Sequence, residues 1–95
     1  MLIGTCILDM RLKGVKTLKN KRSIIKKLIS RIKKNFNVAI AEVGKHDIAD
    51  RAEIGFCVVS TERSHLDSQI DNIINDMEYH GEPGIEIINY EKEIY

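Results

Sequence analysis

Two stretches of this chain carry apolar residues on one helical face only. Leu18, Ile25, Leu28, Ile29, Ile32 and Phe36 recur at helical spacing, and so do Leu66, Ile70, Ile73, Ile74 and Met77. A helix with a single apolar stripe has to bury it against a second layer. The remaining segments alternate with a period of two. Leu2, Gly4, Cys6, Leu8, Met10 and Leu12 share one parity, and Ile3, Thr5, Ile7, Asp9 and Arg11 share the other. That is a strand with one apolar face and one mixed face. Residues 38–44, 52–60 and 85–93 read as three further strands, with Ile54, Phe56 and Val58 on one face of the third.

Local signals set the boundaries. Thr17 suits the N-cap of the first helix, where its hydroxyl accepts from a free first-turn amide. Asn35 and Asn37 end that helix. Ser64-His65-Leu66-Asp67 reads as a capping box opening the second helix, and Gly81-Glu82-Pro83-Gly84 closes it. The order is βαββαβ. Both helices need a sheet face, so the expected fold is α+β: a ferredoxin-like two-layer sandwich whose four-stranded antiparallel sheet carries both helices on one face. The parity of each strand that meets the helices is left open. Ninety-five residues make one domain, 1–95, with one core and no large enclosed pocket.

Composition excludes several classes. At 43% apolar and 31% charged the chain is globular, not disordered. No apolar run approaches the ~20 residues of a membrane span. The apolar start, Leu2 to Leu8, has no basic segment before it and no small-residue cleavage site after it. A soluble, cytoplasmic protein is expected. Cys6 and Cys57 lie far apart in apolar runs, as buried thiols do in a reducing compartment.

Charge is the most unusual feature. Residues 1–37 hold eleven Lys/Arg against one acid, Asp9, a net of +10; residues 38–95 hold four against thirteen, a net of −9. No acid occurs between Asp9 and Glu42. Like charges at i,i+4, such as Arg22/Lys26 and Lys27/Arg31, destabilise a helix by a few tenths of a kcal/mol each. The outer face of the second helix is acidic, with Asp67, Asp71, Asp76 and Glu78. Asymmetry of this kind points to an electrostatic partner or to self-association.

The segment Thr17-Leu18-Lys19-Asn20-Lys21-Arg22-Ser23 resembles the S-L-K-x-K-R-S block of the YlxP-like family, a bacterial domain of unknown function. Phe36-Asn37-Val38, Ala41-Glu42-Val43-Gly44, Asp47, Arg51-Ala52-Glu53-Ile54-Gly55 and Val59-Ser60 match its other blocks in order. The chain departs from the pattern at Asn20, where many members carry Glu, and matches least from Gly81 on. The resemblance implies a ferredoxin-like fold and a cytosolic protein without an established activity. Genes of such proteins tend to lie beside those of a translation initiation factor and a ribosome-binding factor, which leans toward ribosome-linked work.

The leading reading is a non-enzymatic RNA- or ribosome-associated module, with Lys16, Lys19, Lys21, Arg22, Lys26 and Lys33 neutralising phosphates. The alternative is a homo-oligomer, structural or regulatory, whose basic and acidic helices meet between subunits. A third is a small phosphate-handling hydrolase built on the Gly14 turn before a helix N-terminus; Met10-Arg11-Leu12-Lys13-Gly14-Val15 faintly resembles the phosphate loop of the acylphosphatase family, which implies Arg11, Arg22 and Asn37 around the anion. The loop 45–51 collects Lys45, His46, Asp47, Asp50 and Arg51 between Glu42 and Glu53, acids with one His that could bind a metal or move protons, and Glu42, Asp47, Arg51 and Glu53 form a candidate functional loop. There Arg51 is expected to pair with a neighbouring carboxylate and Asp47 to satisfy loop amides. Phe56 is expected under a helix and not as an RNA-stacking residue, since the first strand has no aromatic partner for it. The open sheet face is expected to carry Thr5, Ile7 and Val59 or their alternates, with Ile88 and Tyr90 as candidates, and aliphatic residues there suggest self-association. No cofactor, resident metal or membrane is called for, and catalysis is not the favoured reading.

Overall fold

A computed structural model describes residues 1–95. The elements are β1 (Leu2–Leu12), α1 (Leu18–Asn35), β2 (Ala39–Gly44), β3 (Arg51–Ser60), α2 (Arg63–Tyr79) and β4 (Ile85–Ile94). The strands form one sheet in the order β2-β3-β1-β4, and every neighbouring pair is antiparallel. This is the ferredoxin-like βαββαβ arrangement expected from the alternation of periods. β2 and β4 are its two edges.

The even parity of β1 and β3 meets the helices. Cys6, Leu8, Met10, Leu12, Ala52, Ile54, Phe56 and Val58 are buried there with the stripes of both helices in one continuous core. Phe56 therefore packs under the helices, and the odd-numbered residues of both strands form the open face. α1 packs on β2, while α2 packs on β1 and β3.

Thr17 caps α1 as read, its Oγ1 accepting from the Asn20 amide at 3.1 Å. α2 corrects the reading: it begins at Arg63 behind Glu62, so Ser64 lies within the helix and forms no capping box. The Ser60 hydroxyl accepts from the Glu62 amide at 3.2 Å instead, which turns the chain out of β3 and into the helix earlier.

β4 corrects a second expectation. Tyr90 lies in register with Leu8, so it shares the helix side of the sheet and not the open face. The pairing of β1 with β4 shifts between Asp9 and Met10, which skips Ile88 and reverses the parity of the strand on either side. Ile85 and Ile87 face the helices on one side of the shift; Tyr90, Lys92 and Ile94 do so on the other.

Gly4 marks where α2 lies closest to the sheet. A Cβ there would stand 2.7 Å from Ile70 Cδ1 and 3.1 Å from Leu66 Cγ. Gly4→Val should therefore overpack the β1–α2 contact and cost about 1–3 kcal/mol in urea unfolding. An unchanged midpoint would show that α2 does not sit this close.

Candidate nucleic-acid interface

α1 has no acid anywhere along its length. Lys19, Arg22, Lys26 and Lys33 fall on one flank, because steps of three, four and seven residues return to nearly the same helical azimuth. Arg31 lies half a turn round from Arg22 and reaches Asp76 of α2 at 3.1 Å, and Glu82 beyond it. The Arg22 row therefore looks away from α2 and out over the β2 edge. Arg22, Lys26 and Ser30 border a groove of about 300 Å³ there, with Ile25, Ile29 and Glu42 on its inner side.

Lys16, Lys19, Arg22, Lys26 and Lys33 are all exposed. None lies within 4.0 Å of a carboxylate, whereas Arg31 on the opposite flank has two partners. Lys27 and Lys34, on the outer crest, were not among the sequence candidates and are equally exposed and unpaired. The basic run itself was the signal for them.

Lys21 is a correction. It is 1% exposed and cannot meet a phosphate. Its ammonium sits 2.8 Å from Glu42 Oε2 and donates to the Lys45 carbonyl at 2.6 Å, with the His46 carbonyl at 3.5 Å. It thus clamps α1 to β2 and to the loop that leaves it. The signal was present: Lys21 stands between Leu18 and Ile25 on the apolar stripe, and Glu42 shares the parity of buried Ile40.

The second candidate site resolves into two separate arrangements. Glu42 faces the helix layer and belongs to the Lys21 clamp. On the open face, Asp9 of β1 accepts from Lys45 at 2.7 Å and from Arg51 at 2.8 Å. Arg51 is thus paired with a neighbouring carboxylate as expected, the one on the adjacent strand β1. Lys45 adopts φ +58°, unusual for a residue with a Cβ. Its carbonyl is held from one layer by Lys21 and its ammonium from the other by Asp9. Asp47 is exposed and its carboxylate bonds no loop amide; the loop carbonyls are met by Lys21 instead. Glu53 lies beside Gly44, in a shallow polar depression with Asp9, Lys45, Asn89 and Glu91. No three His, Cys, Asp or Glu side chains converge there as a metal-ligand set.

The residues considered for phosphate hydrolysis are not brought together. Arg11 and Lys13 turn to Glu86 of β4, at 3.7 and 3.0 Å. Asn37 precedes β2 at the far end of the sheet: Ala39 pairs with Cys57, which pairs with Thr5, six residues along β1 from Arg11. At 3.3 Å per residue that separates Asn37 from Arg11 by roughly 20 Å.

The rest of the open face is apolar beside β2. Thr5, Ile7, Ala39, Ala41, Gly55 and Cys57 line a shallow trough of about 400 Å³. Both cysteines are free; burial pushes the Cys6 thiol up to about 11, so it remains a neutral packing group. No helix is long and apolar enough to cross a membrane.

These features define a small ferredoxin-like α+β domain with an unpaired basic flank on its first helix. The family model described as "Protein of unknown function (DUF503)" matches residues 3–92, and the chain belongs to that family. It is 31% identical over 58 residues to the "Uncharacterized protein YlxP" of Bacillus subtilis (strain 168), an alignment covering 61% of this chain and 63% of that protein. The chain thus spans a little under two thirds of that relative. Among solved structures, "De novo designed protein Foldit4" superposes with a TM-score of 0.55 at 11% identity, covering 100% of this chain and 97% of the designed one. That likeness is one of fold alone.

Two outcomes test the clamp. Lys21→Met leaves the half-buried Glu42 without its counter-charge and should cost about 3–5 kcal/mol in chemical unfolding, whereas Lys21→Met with Glu42→Leu should recover most of the loss. Additive losses would contradict a specific pair. Asp9 titrates below the ordinary carboxylate range, first because Lys45 donates to it and then because Arg51 stands beside it, against the opposing effect of burial. A depressed folded-state pKa stabilises the fold above the unfolded carboxylate range, and that contribution is lost as pH falls through the folded value. Asp9→Asn should therefore flatten the acid limb of stability against pH below about pH 4. An acid limb as steep as the wild type's would remove Asp9 from the account.

Proposed function

We propose that the protein is a non-enzymatic module that binds RNA, as part of a ribosomal particle, through the outward flank of α1 and the loop before it. One observation carries this reading: Lys19, Arg22, Lys26 and Lys33 stand in an exposed row without a single carboxylate partner. From Lys19 to Lys33 the row runs along roughly 21 Å of helix. Lys16 extends it into the preceding loop, and Lys27 and Lys34 widen it over the crest. Unpaired like charges that weaken their own helix are compensated when phosphates replace their counterions.

Recognition in this reading is of backbone and not of sequence. The open sheet face has no aromatic platform on its two central strands, where Thr5, Ile7, Gly55 and Cys57 point outward. Base stacking of the kind used by RNA recognition motifs has no surface there. The grounds for RNA in particular are the length of the basic row and the gene neighbourhood implied by the family resemblance.

Lys26→Glu with Lys33→Glu should weaken binding to unrelated RNA sequences alike. It should also reduce the salt dependence of log K by about 0.7–0.9 per lost contact. Titration of labelled RNA at several salt concentrations measures both. A slope equal to the wild type's would place the contact elsewhere.

A further inference from the structure

The two edges of the sheet are opposite in charge and opposite in strand direction. α1 overhangs β2, and its outward flank carries Arg22, Lys26, Ile29 and Lys33. α2 presents the other edge. Asp76 turns to Arg31 of α1, while Asp71 turns the other way to Lys92 of β4 at 3.3 Å. Asp67 and Glu78 stand four residues before and seven after Asp71, so they share its flank. The outward row of α2 is therefore Asp67, Asp71 and Glu78, while Ile74 beside them is buried in the core. Three bases on one edge, Arg22, Lys26 and Lys33, thus answer three acids on the other, Asp67, Asp71 and Glu78.

We propose that copies of this chain associate head to tail, the α2/β4 edge of one against the α1/β2 edge of the next. The occupant of each edge is a second copy of the chain, for three reasons. The first is charge complementarity between rows that find few partners inside the molecule. Like edges repel, so β2–β2 and β4–β4 pairing are both disfavoured and only the unlike pairing remains.

The second is strand polarity. With four strands alternating in direction, β4 runs opposite to β2. A copy added at the edge in the same orientation thus continues an antiparallel ladder, with its helices on the same face of the extended sheet. α1 and α2 then lie side by side antiparallel, which sets Glu78 level with Arg22 and Asp67 level with Lys33. The third reason is cover. α2 sits over β1 and β3 and leaves the helix side of β4 thinly covered, with Tyr90 45% exposed. The groove beside α1 of the next copy offers the partly exposed Ile29 to that side of β4. A heterologous contact of this kind closes into a ring or grows as a chain, according to the twist between neighbours.

The inference does not rest on RNA binding, and the two fail separately. Sedimentation velocity of the full chain at low salt should show an apparent mass that rises with concentration above that of one 10.9 kDa chain. In ~1 M salt, where the Debye length is ~3 Å, it should fall to the monomer. Arg22→Glu with Lys26→Glu and Lys33→Glu makes both edges acidic, and Asp67→Lys with Glu78→Lys makes both basic. Each variant alone should be a monomer, and an equimolar mixture should associate again. The second variant leaves the α1 flank intact, so it should lose self-association and keep its RNA affinity. A wild-type chain that stays monomeric at low salt up to about millimolar concentration overturns the proposal. So do charge variants that associate as the wild type does, or a mixture that fails to associate.

Discussion

The buried ammonium of Lys21 is the point on which the surrounding geometry depends. It is a cation placed in an apolar stripe, which is unfavourable unless its charge and its donors are met inside the protein. Glu42 supplies the charge, and the carbonyls of Lys45 and His46 supply acceptors. Three consequences follow from that one side chain. α1 is held over β2 at the sheet edge and not over its centre. The chain after β2 turns through a left-handed Lys45. The Lys45 side chain is then delivered to Asp9 on the opposite face of the sheet, where Arg51 joins it. A single lysine thus couples the two layers.

The position of α1 decides what the basic charge can do. Over the centre of the sheet, its lysines would lie close to the acids of α2 and be neutralised within the molecule. At the edge, only Arg31 reaches α2, and the Arg22 row faces outward. The outward bases of α1 and the outward acids of α2 thus lie toward opposite edges of the sheet. The RNA-binding and head-to-tail readings both use this separation, one toward phosphate and the other toward a second copy.

Most of the fold was legible because two periodicities, 2 and 3.6, were each unbroken over whole elements. The strand face of Leu2 to Leu12 and the stripe of Ile25 to Ile32 needed no tertiary information. Where the reading went astray, a non-local or non-periodic effect intervened. Tyr90 changed faces because one extra residue in β4 reversed the parity beyond it, and no residue type near Ile88 announces that shift. Ser64 looked like a cap, but the Ser60 hydroxyl had already started the turn. Lys21 was grouped with the surface lysines by its charge, although its azimuth placed it in the stripe. Glu42 and Arg51 were expected to serve one loop; they face opposite sides of the sheet, which strand parity implied but the loop's composition obscured.

The central claim, that the outward flank of α1 meets RNA in a ribosomal particle, is tested most directly by co-sedimentation of the purified protein with isolated ribosomal subunits at low and moderate salt. The account predicts that the protein pellets with a subunit and that part of this binding persists at moderate salt. Protein left wholly in the supernatant at both salt concentrations would contradict it.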